Sequence, residues 1–216
     1  MDIVQQLLLM LGGVSTTLAI SILSLLLGLV IGLPLAFIRA YQRSSRFLIE
    51  VFEKIFRGVP EIVLMLLFYW GVGLYFPFPF KSAFFTATFV LGLRSAANQS
   101  QIFRGALRGI GEEQMVAARS LGFSKLRSVV HVMMPQVFIF ATPGLGSEYA
   151  LLVKDSAYAF VLGVLEVMYI TDVIRKATMD PVTPYLAAAL LYILLTFPIA
   201  TWLDTWGNRK KKKLGL

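Results

Sequence analysis

Arg94, Asn98 and Gln101 recur at i, i+4 and i+7, so on a helix all three share one face. An arginine in that setting can pair a carboxylate bidentately. Glu148, the one ionisable residue inside a second apolar run, can receive an amino group or a basic side chain. Both charges sit in long apolar stretches, where an ionisable group is costly and defaults to a functional reading. Two structural alternatives stand beside it: an ion pair of Arg94 with Glu148, or an Arg94 that reaches out to an interface. His131, the single histidine, lies alone on a polar connection and reads as a surface or packing residue.

The elements that hold these residues must be membrane helices. The chain of 216 residues is 57% hydrophobic and 15% charged, where a soluble domain carries about a quarter charged residues. With a mean hydropathy of +0.76, lipid is the expected solvent. The net charge of +8 does not indicate nucleic acid, because the basic residues lie between apolar runs and form no stripe with interleaved aromatics. Without cysteine and with one histidine, thiolate and multi-histidine metal sites are excluded, and no cofactor is expected. The first basic residue is Arg39, so the charged n-region of a signal peptide is missing and the first segment is expected to remain.

A spanning helix needs about 20 mostly apolar residues, and five candidate spans follow: 14–38, 61–78, 83–103, 135–153 and 185–206. The apolar stretch 156–171 is short, is interrupted by Glu166, and reads as a re-entrant or interfacial helix. Five spans place fifteen basic residues on one side: Arg39, Arg43, Arg46, Lys54, Arg57, Arg104, Arg108, Arg119, Lys125, Arg127, Arg209 and the run from Lys210 to Lys213. Lys81, Lys154, Arg175 and Lys176 fall on the other, and Arg94 within a span. Positive charge marks the cytoplasmic side, so the N-terminus is expected outside and the tail inside. A sixth span would put Arg209–Lys213 outside. Lys154 and Asp155 then lie at the outer end of the fourth span, as parts of an outer gate or as a charged helix-end anchor. Gly28 and Gly32 have the spacing of a close helix contact, or arise by chance in an apolar run. The Lys run reads as a topology anchor on anionic headgroups.

Between the third and fourth spans, residues 104–134 form an amphipathic stretch with Gly122 and Ser124 as a break between two short helices. Such a hairpin cannot bury its own apolar face and needs a partner surface. Ala117-Ala118, three residues, Gly122, nine residues and Val132-x-Met134-Pro135 resemble the coupling-loop motif of ATP-binding-cassette importer permeases. That motif reads Glu-Ala-Ala, three residues, Gly, nine residues, Ile-x-Leu-Pro; here Val116, Val132 and Met134 replace Glu, Ile and Leu.

The resemblance extends to the polar amino-acid subfamily (histidine, glutamine, arginine) over nearly the whole chain. Leu11-Gly12, Thr17-Leu18 and the Gly28/Gly32 pair resemble its first span, and Phe56-Arg57-Gly58-Val59-Pro60 resembles its Phe-Arg-Gly-Thr-Pro. Ile102-Phe103-Arg104-Gly105-Ala106 matches its third-span exit. Residues 143–148 resemble Pro-Pro-Leu-Gly-Asn-Glu, and Lys154-Asp155-Ser156 resembles Lys-Asp-Thr. The resemblance implies an all-α polytopic membrane protein of five transmembrane helices with a cytoplasmic coupling helix. It implies two permease chains (homodimer or related heterodimer), two cytoplasmic ATP-binding subunits docked through Ala117, Ala118, Gly122 and Pro135, and an extracytoplasmic amino-acid-binding protein. The chain has no phosphate-cradling G-x-x-x-x-G-K-[ST] loop, so ATP hydrolysis is expected in the partner.

Arg94, Asn98, Gln101 and Glu148 are expected to line the substrate pathway. Asn98, Gln101 and Arg94 stand where the subfamily often has Tyr, Glu and Asn, a shift towards positive charge that favours a neutral or acidic amino acid. A permease for another small solute such as methionine is the alternative within transport. A self-contained membrane enzyme lacks an acid/base or metal constellation, and an ion-coupled carrier would show repeated halves with paired broken helices.

Overall fold

A computed structural model describes residues 2–42 and 44–213; Arg43, counted above among the basic residues, lies outside them. The described chain is helical, without strands. It runs α1 (Ile3–Tyr41), α2 (Arg46–Gly58), α3 (Glu61–Leu66), α4 (Gly73–Tyr75), α5 (Pro77–Phe80), α6 (Ala83–Ile110), α7 (Glu113–Ser120), α8 (Lys125–Ser128), α9 (Met134–Asp155), α10 (Val167–Thr178) and α11 (Thr183–Lys213). Wide π-helical turns at Leu67–Val72 and Val129–Met133 join α3 to α4 and α8 to α9.

Three continuous helical stretches, Ile3–Tyr41, Lys125–Leu162 and Thr183–Lys213, are long and apolar enough to cross a membrane. A fourth crossing is available if α2 and the helix from Glu61 to Tyr75, bent by 102°, count as one broken span. The helix read as the third span, α6, is long enough at 28 residues but too polar to pass the same test. Its burial explains why that polarity is tolerated: Ser95, Ala96, Ala97, Gln99 and Ser100 are fully buried against neighbouring helices rather than exposed to lipid.

Several boundaries differ from the sequence expectation. The segment before Glu61 is no loop, because α2 is a helix that runs alongside α6. It buries Ile49 and Glu53, the latter at 2% exposure, while Phe47, Leu48, Val51 and Ile55 are exposed beside Arg46, Lys54 and Arg57. Apolar positions on that outward stripe suit lipid contact, and their mixture with charges kept α2 below the span threshold in the sequence. Residues 156–171 are not one short helix. A 3₁₀ turn, Ser156–Leu162, ends at left-handed Gly163, and α10 begins after Glu166. Glu166 is fully buried and caps α10, accepting from Met168 N at 2.8 Å, Tyr169 N at 2.7 Å and the Tyr192 hydroxyl at 2.9 Å. Pro135 stands in the first turn of α9, and the wide turn Val129–Met133 joins α8 to that helix without a break. That turn lies where the donor missing at Pro135 would otherwise leave a gap in the ladder.

Gly28 and Gly32 do mark a close contact. A Cβ on Gly28 would stand 2.5 Å from Gln99 Nε2, and one on Gly32 would stand 2.6 Å from the Ala96 carbonyl oxygen. The α1–α6 pair therefore approaches backbone to backbone, with Gln99 Nε2 donating to the Leu25 carbonyl at 2.9 Å across it.

Candidate functional site, a polar seam along one buried helix

The polar residues of α6 meet partners from three sides in a stepwise ladder. At its lower end, Glu53 of α2 accepts from Ser100 Oγ at 2.8 Å and from Arg104 Nη2 at 3.1 Å, and it pairs with Arg39 of α1 as well. One buried carboxylate thus joins three helices, with its two oxygens filled. Four residues further along α2, Arg57 Nε donates to Asn98 Oδ1 at 3.0 Å. The other end of the Asn98 amide donates to Glu148 Oε2 of α9 at 3.1 Å. Higher still, Arg94 lies between two carboxylates, 2.6 Å from Glu61 and in an ion pair with Asp155. From Arg104 to Arg94 the ladder climbs ten residues of α6, about 15 Å, or half the thickness of a hydrocarbon core.

This geometry decides between the alternatives for Arg94. Its partners are Glu61 and Asp155, not Glu148, and it does not reach out to an interface: its side chain is 17% exposed. Asn98 and Glu148, by contrast, are brought into direct contact. Glu148 is 2% exposed, and its Oε1 accepts no hydrogen bond of good geometry among the described residues. Gln101 is half-buried beside this ladder. Lys154 is exposed while its neighbour Asp155 turns inward to Arg94.

The positive charge read from Arg94 alone is offset by its partners. Along the ladder Arg39, Arg57, Arg94 and Arg104 meet Glu53, Glu61, Glu148 and Asp155, four positive charges against four negative, and three of the carboxylates lie in its upper part with Arg57 and Arg94. Glu53, Glu61 and Glu166 were missed as site or structural residues. The first sat in an assumed loop and the second at an assumed span boundary, while the third interrupted a short apolar stretch; only the tertiary contacts single them out.

The coupling segment folds as a helical hairpin. α7 ends in a turn where Gly122 takes φ +85° and Phe123 N donates to the Ala118 carbonyl at 3.2 Å, and Ser124 caps α8 through Arg127 N at 3.4 Å. Ala118 is buried, whereas Val116, Leu121 and Leu126 are exposed at 63%, 80% and 73%. His131 is exposed and bonded only to the Arg127 carbonyl, at 3.2 Å. Lys125 ties the hairpin to the end of α1, its Nζ standing 5.3 Å from the centre of the Tyr41 ring.

A helical membrane bundle with a buried polar seam and a protruding hairpin is the architecture of a solute permease. Residues 24–212 match the model of the binding-protein-dependent transport system inner membrane component, and the chain belongs to that family. It is 37% identical over 188 residues to the arginine ABC transporter permease protein ArtQ of Haemophilus influenzae, covering 83% of each chain. Against the histidine/lysine/arginine/ornithine transport system permease protein HisM of Escherichia coli K12 it is 32% identical, covering 86% of this chain and 82% of that one. Among solved structures, an amino acid ABC transporter crystallised with histidines superposes with a TM-score of 0.82 at 26% identity, over 95% of this chain and 96% of that one. The MetNI methionine ABC transporter superposes at 0.79 with 20% identity, over 93% and 95%, a likeness of fold.

Proposed function

We propose that this chain is the membrane-spanning subunit of an ATP-driven importer for a polar amino acid with a cationic side chain. The observation that carries the substrate class is the charge of the seam. Arg94 is neutralised by Glu61 and Asp155, and Glu148 Oε1 makes no hydrogen bond of good geometry among the described residues, which leaves it able to take a cationic donor. In the upper part of the seam Glu61, Glu148 and Asp155 outnumber Arg57 and Arg94, so a guanidinium or ammonium entering there offsets carboxylate charge, whereas an acidic side chain would add to it. Similarity to permeases named for arginine and for histidine, lysine, arginine and ornithine supports the same class.

In this reading the chain crosses the membrane five times, through α1, the broken pair α2 and α3–α4, α6, α9 and α11. The second crossing begins near Arg46 rather than Glu61, which leaves the parity unchanged. The bias of basic residues supports an outer N-terminus and a cytoplasmic tail. The α7–α8 hairpin, with its exposed Val116, Leu121 and Leu126, is the docking surface for a cytoplasmic ATP-binding subunit. A second permease chain and an external binding protein complete the system, and closure of the ATPases moves the helices as rigid bodies.

The test is uptake into proteoliposomes holding the assembled transporter, with binding protein supplied outside and labelled arginine or glutamate offered. Arginine uptake that Glu148→Gln and Arg94→Met each reduce, with assembly intact, is the expected result. Glutamate uptake in preference to arginine would sink the substrate class, and unchanged uptake by both variants would sink the pathway. Gly122→Asp is expected to abolish co-purification of the ATPase without affecting membrane insertion; normal co-purification would refute the docking assignment.

A further inference from the structure

At the lower end of the seam, where α1 and α6 end and meet α2 and α7, lies a cavity of about 790 Å³. Its wall divides by chemistry. Arg39, Arg46, Arg104 and Arg108 supply four guanidinium groups, against the carboxylates of Glu50 and Glu112. Leu107, Met115, Val116 and Met133 supply an apolar side.

Two of the arginines are already fixed in place. Arg39 and Arg104 are paired with buried Glu53, which holds their guanidinium planes without occupying all of their donors. Arg46 and Arg108 are exposed and make no side-chain hydrogen bond or ion pair among the described residues. Tyr41 also lines the cavity, and its hydroxyl is a further donor there. With Glu53 behind the wall counted, four positive charges meet three negative ones, a match for a singly charged anion.

The depth and the outer surroundings narrow the ligand. The cavity sits at the ends of α1 and α6, on the side that the proposed topology makes cytoplasmic, and to that extent the inference rests on that reading. The helix roofing it, α2, exposes Phe47, Leu48, Val51 and Ile55 on its outer stripe, so lipid is the neighbouring phase. A basic pocket between helix ends at the cytoplasmic leaflet suits a phosphate ester carrying an apolar part. The volume is that of a ligand pocket, well above what a free phosphate fills.

We propose that this cavity binds the headgroup of an anionic phospholipid of the cytoplasmic leaflet, with the phosphate on Arg46 and Arg108 and the glycerol end against Leu107, Met115 and Met133. Because Glu112, Met115 and Val116 belong to the hairpin region, a bound lipid steadies the segment that receives the ATPase.

The test uses the assembled transporter, permease chains with ATP-binding subunits, purified in detergent and exposed to phosphatidylglycerol and phosphatidylcholine. Retained lipid is counted by native mass spectrometry. Phosphatidylglycerol should be retained in preference, and Arg46→Gln with Arg108→Gln should weaken it about 30-fold, at about 1 kcal/mol for each charge removed. Lys212→Gln with Lys213→Gln, an equal charge change on the exposed tail, should leave retention unchanged. Equal retention of the two lipids, or a double variant that behaves as the parent, overturns the proposal. Displacement by soluble glycerol phosphate overturns the lipid and points to a cytosolic phosphate compound. Retention only after the ATP-binding subunits are stripped away also overturns it, because the cavity would then belong to the ATPase. Uptake of arginine by the double variant, measured in parallel, separates this failure from a failure of the transport reading.

Discussion

Glu53 and Glu148 are equally buried, at 2% exposure each, yet they do opposite things. Glu53 is enclosed by Arg39, Arg104 and Ser100, and both of its oxygens are filled from helices other than its own. It is a strut that fixes how α1, α2 and α6 meet. Glu148 is held on one oxygen by the Asn98 amide, while the other has the Ser95 hydroxyl nearby but no hydrogen bond of good geometry among the described residues. An acceptor so placed in a low-dielectric site gains most from a new donor, because its desolvation has already been incurred. Burial alone does not identify a functional carboxylate; what separates the two is how completely each is satisfied.

The contrast can be broken most directly at Glu53. Replacing it with Ala leaves Arg39 and Arg104 half-buried without their counter-charge, and a loss of about 3–5 kcal/mol is expected. Thermal unfolding of the purified protein reads this as a large drop in midpoint, smaller for Glu53→Gln, which keeps an acceptor.

Next in size is Gly32→Val, which places a branched side chain 2.6 Å from the Ala96 carbonyl oxygen and should cost about 1–3 kcal/mol by forcing α1 off α6. Gly105→Ala serves as its control, since nothing lies within 4 Å of a Cβ there, and its unfolding midpoint should hardly move.

Glu148→Gln sharpens the comparison from the other side. Its stability should stay within about 1 kcal/mol of the parent, while arginine uptake falls about tenfold or more. A loss of stability matching that of Glu53→Ala would collapse the distinction.

The smallest effect is expected at Gly122. Its φ of +85° disfavours a Cβ although no atom crowds the position, so Gly122→Ala should cost about 1 kcal/mol, confined to the hairpin. Reduced ATPase capture with an unchanged global unfolding midpoint is the signature.

Much of this molecule is legible along the chain. Long uncharged runs dictate helices that cross lipid, because only an internally bonded backbone survives there. The spacing from Ala117 to Pro135 marks the hairpin, and Gly122 turns it as its lack of a side chain allows. Gly28 and Gly32 announce a close contact because a missing Cβ is written in the sequence itself. The i, i+4, i+7 face of Arg94, Asn98 and Gln101 follows from helical period alone, as does the suspicion attached to Glu148.

What the chain does not carry is the identity of each charge's partner. Arg94 meets Glu61 and Asp155, which lie 33 residues before and 61 after it, and no local period links such positions. Read alone, Arg94 made the seam positive; enclosed by two carboxylates, it no longer does. Glu53 was hidden for a related reason, since it is the one charge of α2 that is buried, while Arg46, Lys54 and Arg57 on the same helix are exposed, and nothing local sets it apart from them. Local sequence settles what each segment prefers, and only the packing of helices against one another settles which charges remain unmatched.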